Sequence, residues 1–165
     1  MYRKGHLGVA LVVFAPVGAA LVAAGMSEFA YLAGVTMLWL AMLPDVDHRL
    51  PGVSHRGVTH TVAFALVVAV AFGAAGAFAA ARLPLGDPVV VGAFGFGLGL
   101  VTVLAHLLAD LLTPAGVPLL WPLSSRRYSL ELVRASNRTA NYVLLVAGVF
   151  VAAAALVVTL RVGPT

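Results

Sequence analysis

Five stretches of the chain, approximately residues 6–25, 27–43, 60–81, 88–112 and 140–161, stay apolar for long enough to cross a bilayer, which takes about 20 residues of helix. Inside hydrocarbon every backbone N–H and C=O needs a protein partner, so runs of this kind fold as packed helices. The expected fold is therefore all-α: a multi-pass transmembrane helical bundle of about five spans, one integral membrane domain over 1–165. Composition agrees, with 62% hydrophobic and 10% charged residues and a mean hydropathy of +1.05, where a soluble domain carries about 25% charged. The second stretch is the weakest, being short and opening beside Glu28. The first follows Arg3 and Lys4 as a signal peptide would, but it is long for one and contains Pro16 and Gly18, so it is read as a span. There is no cysteine, which excludes disulfides and thiolate ligands and leaves any metal to His, Asp or Glu.

Placed on five spans, the basic residues segregate. Arg3, Lys4, Arg49, Arg56, Arg126, Arg127, Arg134 and Arg138 fall on one side, and Arg82 and Arg161 on the other. The positive-inside bias then puts the N-terminus, the 44–59 connection and the 113–139 segment in the cytoplasm, with the C-terminus outside. The net charge of +4 reports orientation and contact with anionic membrane lipids, and no nucleic-acid partner is expected. "GAFGFGLG" (92–99) lacks the spacing of a nucleotide-binding loop and lies inside a span, where small residues let helices approach closely.

The ionisable residues converge on the same face. Asp45, Asp47, His48, His55 and His60 lie in or beside the second connection, His6 at the start of the first span, and His106 and Asp110 near the end of the fourth. His106 and Asp110 are four apart, on one helical face of an otherwise apolar segment. An ionisable residue at membrane depth is costly and marks a site with a partner. Imidazole and carboxylate suit zinc, manganese or iron when several converge from different elements. His6, Asp45 or Asp47, His55 or His60, and His106 with Asp110 make such a set. His48, beside Arg49, reads equally well as a solvated loop residue. Arg56 beside a metal can clamp a phosphoryl oxygen.

The 113–139 segment begins with three prolines and a glycine that forbid a continuous helix. Leu119, Leu120, Trp121 and Tyr128 suit the headgroup level. Arg126 and Arg127 offer charge to headgroups or to a substrate phosphate, and Ser129 is an expected N-cap for a short helix carrying Glu131.

The blocks "LPDVDH", "SHRGVTHT" and "HLLADLLTPAG", followed by "WPLSSRRYSL", with "GHL" near the start and "NRTAN" before the last span, resemble the YdjM-like family of inner-membrane metal-dependent hydrolases. The resemblance covers nearly the whole chain and implies a multi-pass protein of the inner cell membrane with a hydrolase site. The order His6, Asp45, His60, His106, Asp110 is also similar, more distantly, to the ligand order of zinc-dependent phospholipases C and single-strand nucleases. No histidine follows His106, so that likeness implies one or two ions and not three.

Together these readings give a metal-dependent hydrolase of phosphoesters, lipid ones included, at the cytoplasmic face. One divalent ion, zinc before manganese or iron, is expected on Asp45, His60, His106 and Asp110, with a second near His6 sharing Asp110. Asp47 or His55 is the expected base or extra ligand, and Arg56, Arg126 and Arg127 the phosphate contacts. The rival reading is a non-enzymatic membrane protein with a structural metal site or partner platform. A transporter with an intramembrane His–Asp relay ranks last, because the outer halves of the spans are almost free of polar residues.

Overall fold

Three of the apolar runs start at a polar residue that caps the helix it begins. Thr61 Oγ1 accepts from Phe64 N (3.0 Å), Asp87 Oδ1 from Val89 N (2.7 Å), and Asn137 Oδ1 from Ala140 N (3.0 Å), each meeting one of the N–H groups a helix leaves unpaired at its start. Pro88 follows Asp87 at the first helical position, where a missing N–H costs nothing. The structure, a computed structural model, describes residues 1–49, 51–52 and 54–162. Its helices are α1 (Arg3–Ala23), α2 (Ser27–Trp39), α3 (Val62–Ala80), α4 (Pro88–Leu111) and α5 (Arg138–Val162), and no strand occurs among the described residues. All five expected spans are present as candidate membrane crossings, the second running over Ser27–Arg49.

That second crossing, expected over 27–43, is not one continuous α-helix. The α-helix stops at Trp39, with a 3-10 turn over Pro44–Arg49 beyond it. Pro44 is the reason: it has no N–H to give Leu40, and its ring would strike that carbonyl in a continuing helix. The Leu40 carbonyl accepts from Leu43 N instead (2.8 Å), and Asp45 N turns to Met42 O (3.1 Å). Ala41 O is thereby left free of the helical ladder.

Two seams of small residues hold the bundle. α3 and α4 pack through Gly73, Gly76, Gly92, Gly95 and Gly99; a Cβ on Gly99 would lie 3.0 Å from Ala69 Cα, and one on Gly95 2.5 Å from Phe72 O. The reading of 92–99 as a packing surface is borne out. α1 and α5 meet at Gly8 and Gly148, each lying against the other's backbone neighbourhood. Outward, α5 presents Val143, Val146, Phe150 and Leu160, all exposed, as a lipid-facing helix should.

Residues 113–137 close one end. The expected short helix capped by Ser129 does not form. Instead the segment runs as an irregular strap: Leu130 N donates to Leu111 O (2.7 Å) and Val133 N to Leu112 O (3.1 Å). These are carbonyls that the end of α4 leaves without helical partners. Ser129 Oγ donates to Thr113 O (2.6 Å) and accepts from Glu131 N (3.1 Å), so its hydroxyl serves the strap and not a helix. The starts of α1, α3 and α5, the end of α4 and the 40–60 connection all meet at this end.

Gly8→Leu is expected to destabilise the protein by about 1–3 kcal/mol, the usual cost of overpacking, because the added side chain meets Leu144 backbone. Thermal unfolding of the detergent-purified protein checks this, with Gly97→Leu as the comparison, since a Cβ at Gly97 has nothing within 4 Å.

Candidate metal centre

Four side chains from three elements bring electron-pair donors to one point. α4 supplies His106 and Asp110, the turn after α2 supplies Asp45, and the 3-10 turn Val58–His60 supplies His60. His60 Nε2 lies 3.2 Å from His106 Nε2, 3.3 Å from Asp45 Oδ1 and 3.4 Å from Asp110 Oδ2. His106 Nε2 lies 3.6 Å from each of the same two carboxylate oxygens. His60, His106 and Asp110 are buried; Asp45 alone keeps some exposure, 17% of its side chain.

The outer nitrogens of the two rings fix where their protons sit. His106 Nδ1 is 2.7 Å from Ala41 O, the carbonyl freed by the early end of α2. A carbonyl only accepts, so Nδ1 carries the hydrogen. His60 Nδ1 faces Asp47 Oδ2 (3.4 Å) and Thr59 Oγ1 (3.0 Å). Thr59 gives its own proton to Asp47 Oδ2 (3.0 Å), so both neighbours of Nδ1 act as acceptors. Each neutral imidazole then turns a lone pair at Nε2 toward the other and toward two carboxylates. Four acceptors meet with no hydrogen between them, an arrangement only a proton or a metal cation relieves. Asp45 Oδ1 accordingly has no hydrogen-bond partner among the described residues. The donor set fits a divalent cation, and Asp45, His60, His106 and Asp110 can hold one.

Asp47 organises the loop behind the ligands. Besides His60 and Thr59, it accepts from Arg56 N (3.0 Å) at Oδ2 and faces His55 Nδ1 (3.1 Å) at Oδ1. It is buried with both oxygens engaged, so it orients two histidines, and His55 is the accessible group of the Asp47–His55 pair. Arg56 has φ of +56°, a region non-glycine residues occupy at a cost of about 1–3 kcal/mol. Its guanidinium is buried and held by Asp110 Oδ1 (2.6 Å) and Thr113 Oγ1 (3.0 Å). Arg56 therefore acts on a ligand carboxylate and is not free to clamp a phosphate.

His6 comes to the same place from α1. Its Nδ1 points at Tyr2 O (3.3 Å), its Nε2 lies 3.4 Å from Asp110 Oδ1, and its ring stacks on His106 with centroids 4.1 Å apart. His6 Nε2 has no hydrogen-bond partner among the described residues. Asp110 Oδ1, the oxygen a second ion near His6 would share, already receives Arg56 and the Met1 α-amine (2.7 Å). A further cation there would face the Arg56 guanidinium. A different second grouping is better formed: Asp45, Asp47, His48 and His55 offer ligand atoms within 4.8 Å of one another, with the His48 and His55 rings stacked at 3.7 Å. His48, which the sequence leaves open as a plain loop residue, belongs to this outer layer.

The two strap arginines differ. Arg127 donates to the carbonyls of Ala115 (3.1 Å), Gly116 (3.0 Å) and Arg56 (3.3 Å), tying the strap to the ligand loop. Arg126 is exposed, with its guanidinium over the Tyr128 ring. Sequence reasoning missed Thr59, Thr113 and the Ala41 carbonyl; only Thr59 had a signal, lying between Arg56 and His60 in the polar block.

The fold and the cluster define a multi-pass helical membrane protein with a buried His/Asp group able to hold a metal ion. Residues 1–163 match the family described as YdjM inner membrane protein. The chain is 32% identical over 140 residues to inner membrane protein YdjM of Escherichia coli (strain K12) and to that of Shigella flexneri, the match covering 74% of this chain and 66% of each relative. The chain belongs to the YdjM family. The match spans just under two thirds of the relatives' length, and no solved structure matches the chain.

Asp47→Asn is expected to lower divalent-metal affinity about 10–100-fold, since it weakens the acceptor that orients His60 while leaving all four ligands in place. Chelator competition on the purified protein measures this; an unchanged affinity would show that the four donors need no help from Asp47.

Proposed function

We propose that this protein is a membrane-embedded, metal-dependent phosphoesterase working at the cytoplasmic face, with lipid phosphoesters among its substrates. The observation that carries the proposal is the meeting of two imidazole nitrogens and two carboxylate oxygens at contacts of 3.2–3.6 Å. Ligands held 2.0–2.2 Å from a tetrahedral zinc lie about 3.3–3.6 Å apart, so zinc fits the spacing best. Asp45, His60, His106 and Asp110 would hold the ion, which would supply Lewis acidity there.

The chain's own residues provide the rest. His55 gives Nδ1–H to Asp47 Oδ1, which leaves its Nε2 lone pair available to take a proton from an attacking water. Its ring lies 5.5 Å from that of His60, so the base is next to the ligand set. The partial exposure of Asp45 gives the centre its approach from solvent. Arg56 fixes Asp110 as a ligand through its bond to Oδ1. Arg126, exposed at the same end, supplies charge for an incoming phosphate. Orientation rests on the eight-to-two division of Lys and Arg.

One observation favours a second reading. Four protein donors complete a tetrahedron, the habit of structural zinc sites, whereas catalytic zinc usually keeps an open position. A structural metal site in a non-enzymatic membrane protein is that alternative.

Metal analysis of the detergent-purified protein is expected to find stoichiometric zinc, and His106→Ala and Asp110→Ala to lose it; wild type without zinc, manganese or iron overturns the proposal. His55→Ala is expected to keep the metal and slow phosphoester turnover about 10²–10⁴-fold. Bound metal with no turnover across a broad phosphoester panel, wild type included, supports the structural reading. A reporter fused to the C-terminus is expected outside the cell, and a cytoplasmic signal would reverse the orientation.

A further inference from the structure

A second polar feature occupies the same end of the bundle and takes no part in the metal cluster. Between the first turns of α1 and α5 lies a cavity of about 410 Å³ lined by Tyr2, Arg3, Lys4, Arg138, Asn141 and Tyr142. Three of its six lining residues are cationic and none is acidic. Lys4 lies over the Tyr142 ring, 3.8 Å from its centroid, and also hydrogen-bonds the Tyr142 hydroxyl, so its charge is held at the cavity wall. Arg3 and Arg138 have no carboxylate partner among the described residues.

The floor is rigid. Asn141 is buried, its Oδ1 accepts from Tyr2 N (3.0 Å), and its Nδ2 donates to Ala135 O (3.1 Å) and Asn137 O (2.7 Å). With those bonds made, Asn141 fixes the start of α1 against the start of α5, and the Gly8–Gly148 contact keeps the two helices together below. The cavity therefore does not depend on any one of its arginines.

We infer that this cavity binds a phosphate group, with the headgroup of an anionic phospholipid as its source. Three cations, two tyrosyl groups and no competing carboxylate are the chemistry of phosphate recognition. The lipid source follows from what lies next to it. Over the next two turns of α5 the exposed residues include Val143, Val146 and Phe150, so a phosphate in the cavity leaves attached acyl chains against an apolar helix face that needs covering. Tyrosines at the rim suit the headgroup level. The inference is independent of whether the His/Asp cluster holds a metal.

Native mass spectrometry of the full chain in detergent provides the test, with phosphatidylglycerol, phosphatidylcholine or inorganic phosphate added in turn. Phosphatidylglycerol is expected to be retained in preference to phosphatidylcholine. Arg3→Gln and Arg138→Gln are each expected to weaken it about five-fold, and the double variant about thirty-fold. Arg134→Gln, an exposed arginine outside the cavity, is the control for charge alone. Unchanged helical circular dichroism certifies the variants as folded, and should the double variant fail that check, the two single variants decide. Retention of inorganic phosphate with the same arginine dependence would uphold the phosphate site and reassign its source to a soluble anion. Equal retention of both lipids without phosphate binding, or an Arg134→Gln loss as large as the others, overturns the inference.

Discussion

Four lone-pair donors cannot be crowded into a buried space unless the surrounding structure forces them there, and much of this bundle serves that end. Asp110 and His106 are only as well placed as α4, and α4 is pressed against α3 through Gly92, Gly95 and Gly99, with no room for a Cβ at Gly95. Asp45 reaches them because Pro44 ends the α-helical course of α2 one turn early. His60 is delivered by a 3-10 turn whose residue Thr59 shares its hydroxyl between Asp47 and the His60 ring. Buried carboxylates cost several kcal/mol each without compensation. Asp110 is compensated by Arg56, and Asp47 by Thr59, His55 and the Arg56 amide. Asp45 has no donor to Oδ1, which makes it the ligand most in need of a cation.

Asp47 links the inner and outer layers of the centre. One oxygen faces the ring of His60, whose other nitrogen points to the ligand cluster, and the other faces the ring of His55, whose Nε2 makes none of these contacts. A single carboxylate thus sets the tautomers of one inner and one outer histidine. On the phosphoesterase reading this couples metal binding to proton transfer, since the loss of Asp47 disorders both. On the structural reading the His55 arm serves only the outer grouping of Asp45, Asp47, His48 and His55.

The membrane spans and the convergence of His6, His60, His106 and Asp110 were legible in the sequence because they rest on local rules: hydropathy over about 20 residues and i, i+4 spacing on a helix. The choice between Asp45 and Asp47 was not legible locally. Two residues apart in a turn of about three residues per turn, they point in widely different directions, and which one meets His106 depends on where α2 stops. Arg127 was opaque for a different reason. Its partners are carbonyls of Ala115, Gly116 and Arg56, and a carbonyl leaves no mark on residue identity. Ser129 had the residue type of a helix cap, but the unpaired carbonyls at the end of α4 captured the strap first, at Leu111 and Leu112.

The concentration of charge at one end also explains how a chain this apolar tolerates its polar residues. A charged group at the bilayer centre is costly on every scale, and the cost falls toward the interface, where side chains and water can reach it. Here the cluster lies within two turns of the helix ends: His6 is the fourth residue of α1, and Asp110 the next to last of α4. The early end of α2 fits this arrangement, since a 13-residue helix spans only about 20 Å at 1.5 Å per residue, short of the roughly 30 Å hydrocarbon core. Beyond Trp39 the chain continues irregularly, with Ala41 O bonded to His106 on α4, and irregular backbone at membrane depth is tolerated where it lies against protein. The short helix thus lets Asp45 enter the bundle from the side while His106 and Asp110 stay near their helix end. Pro44 sets the depth of the cluster as well as its composition.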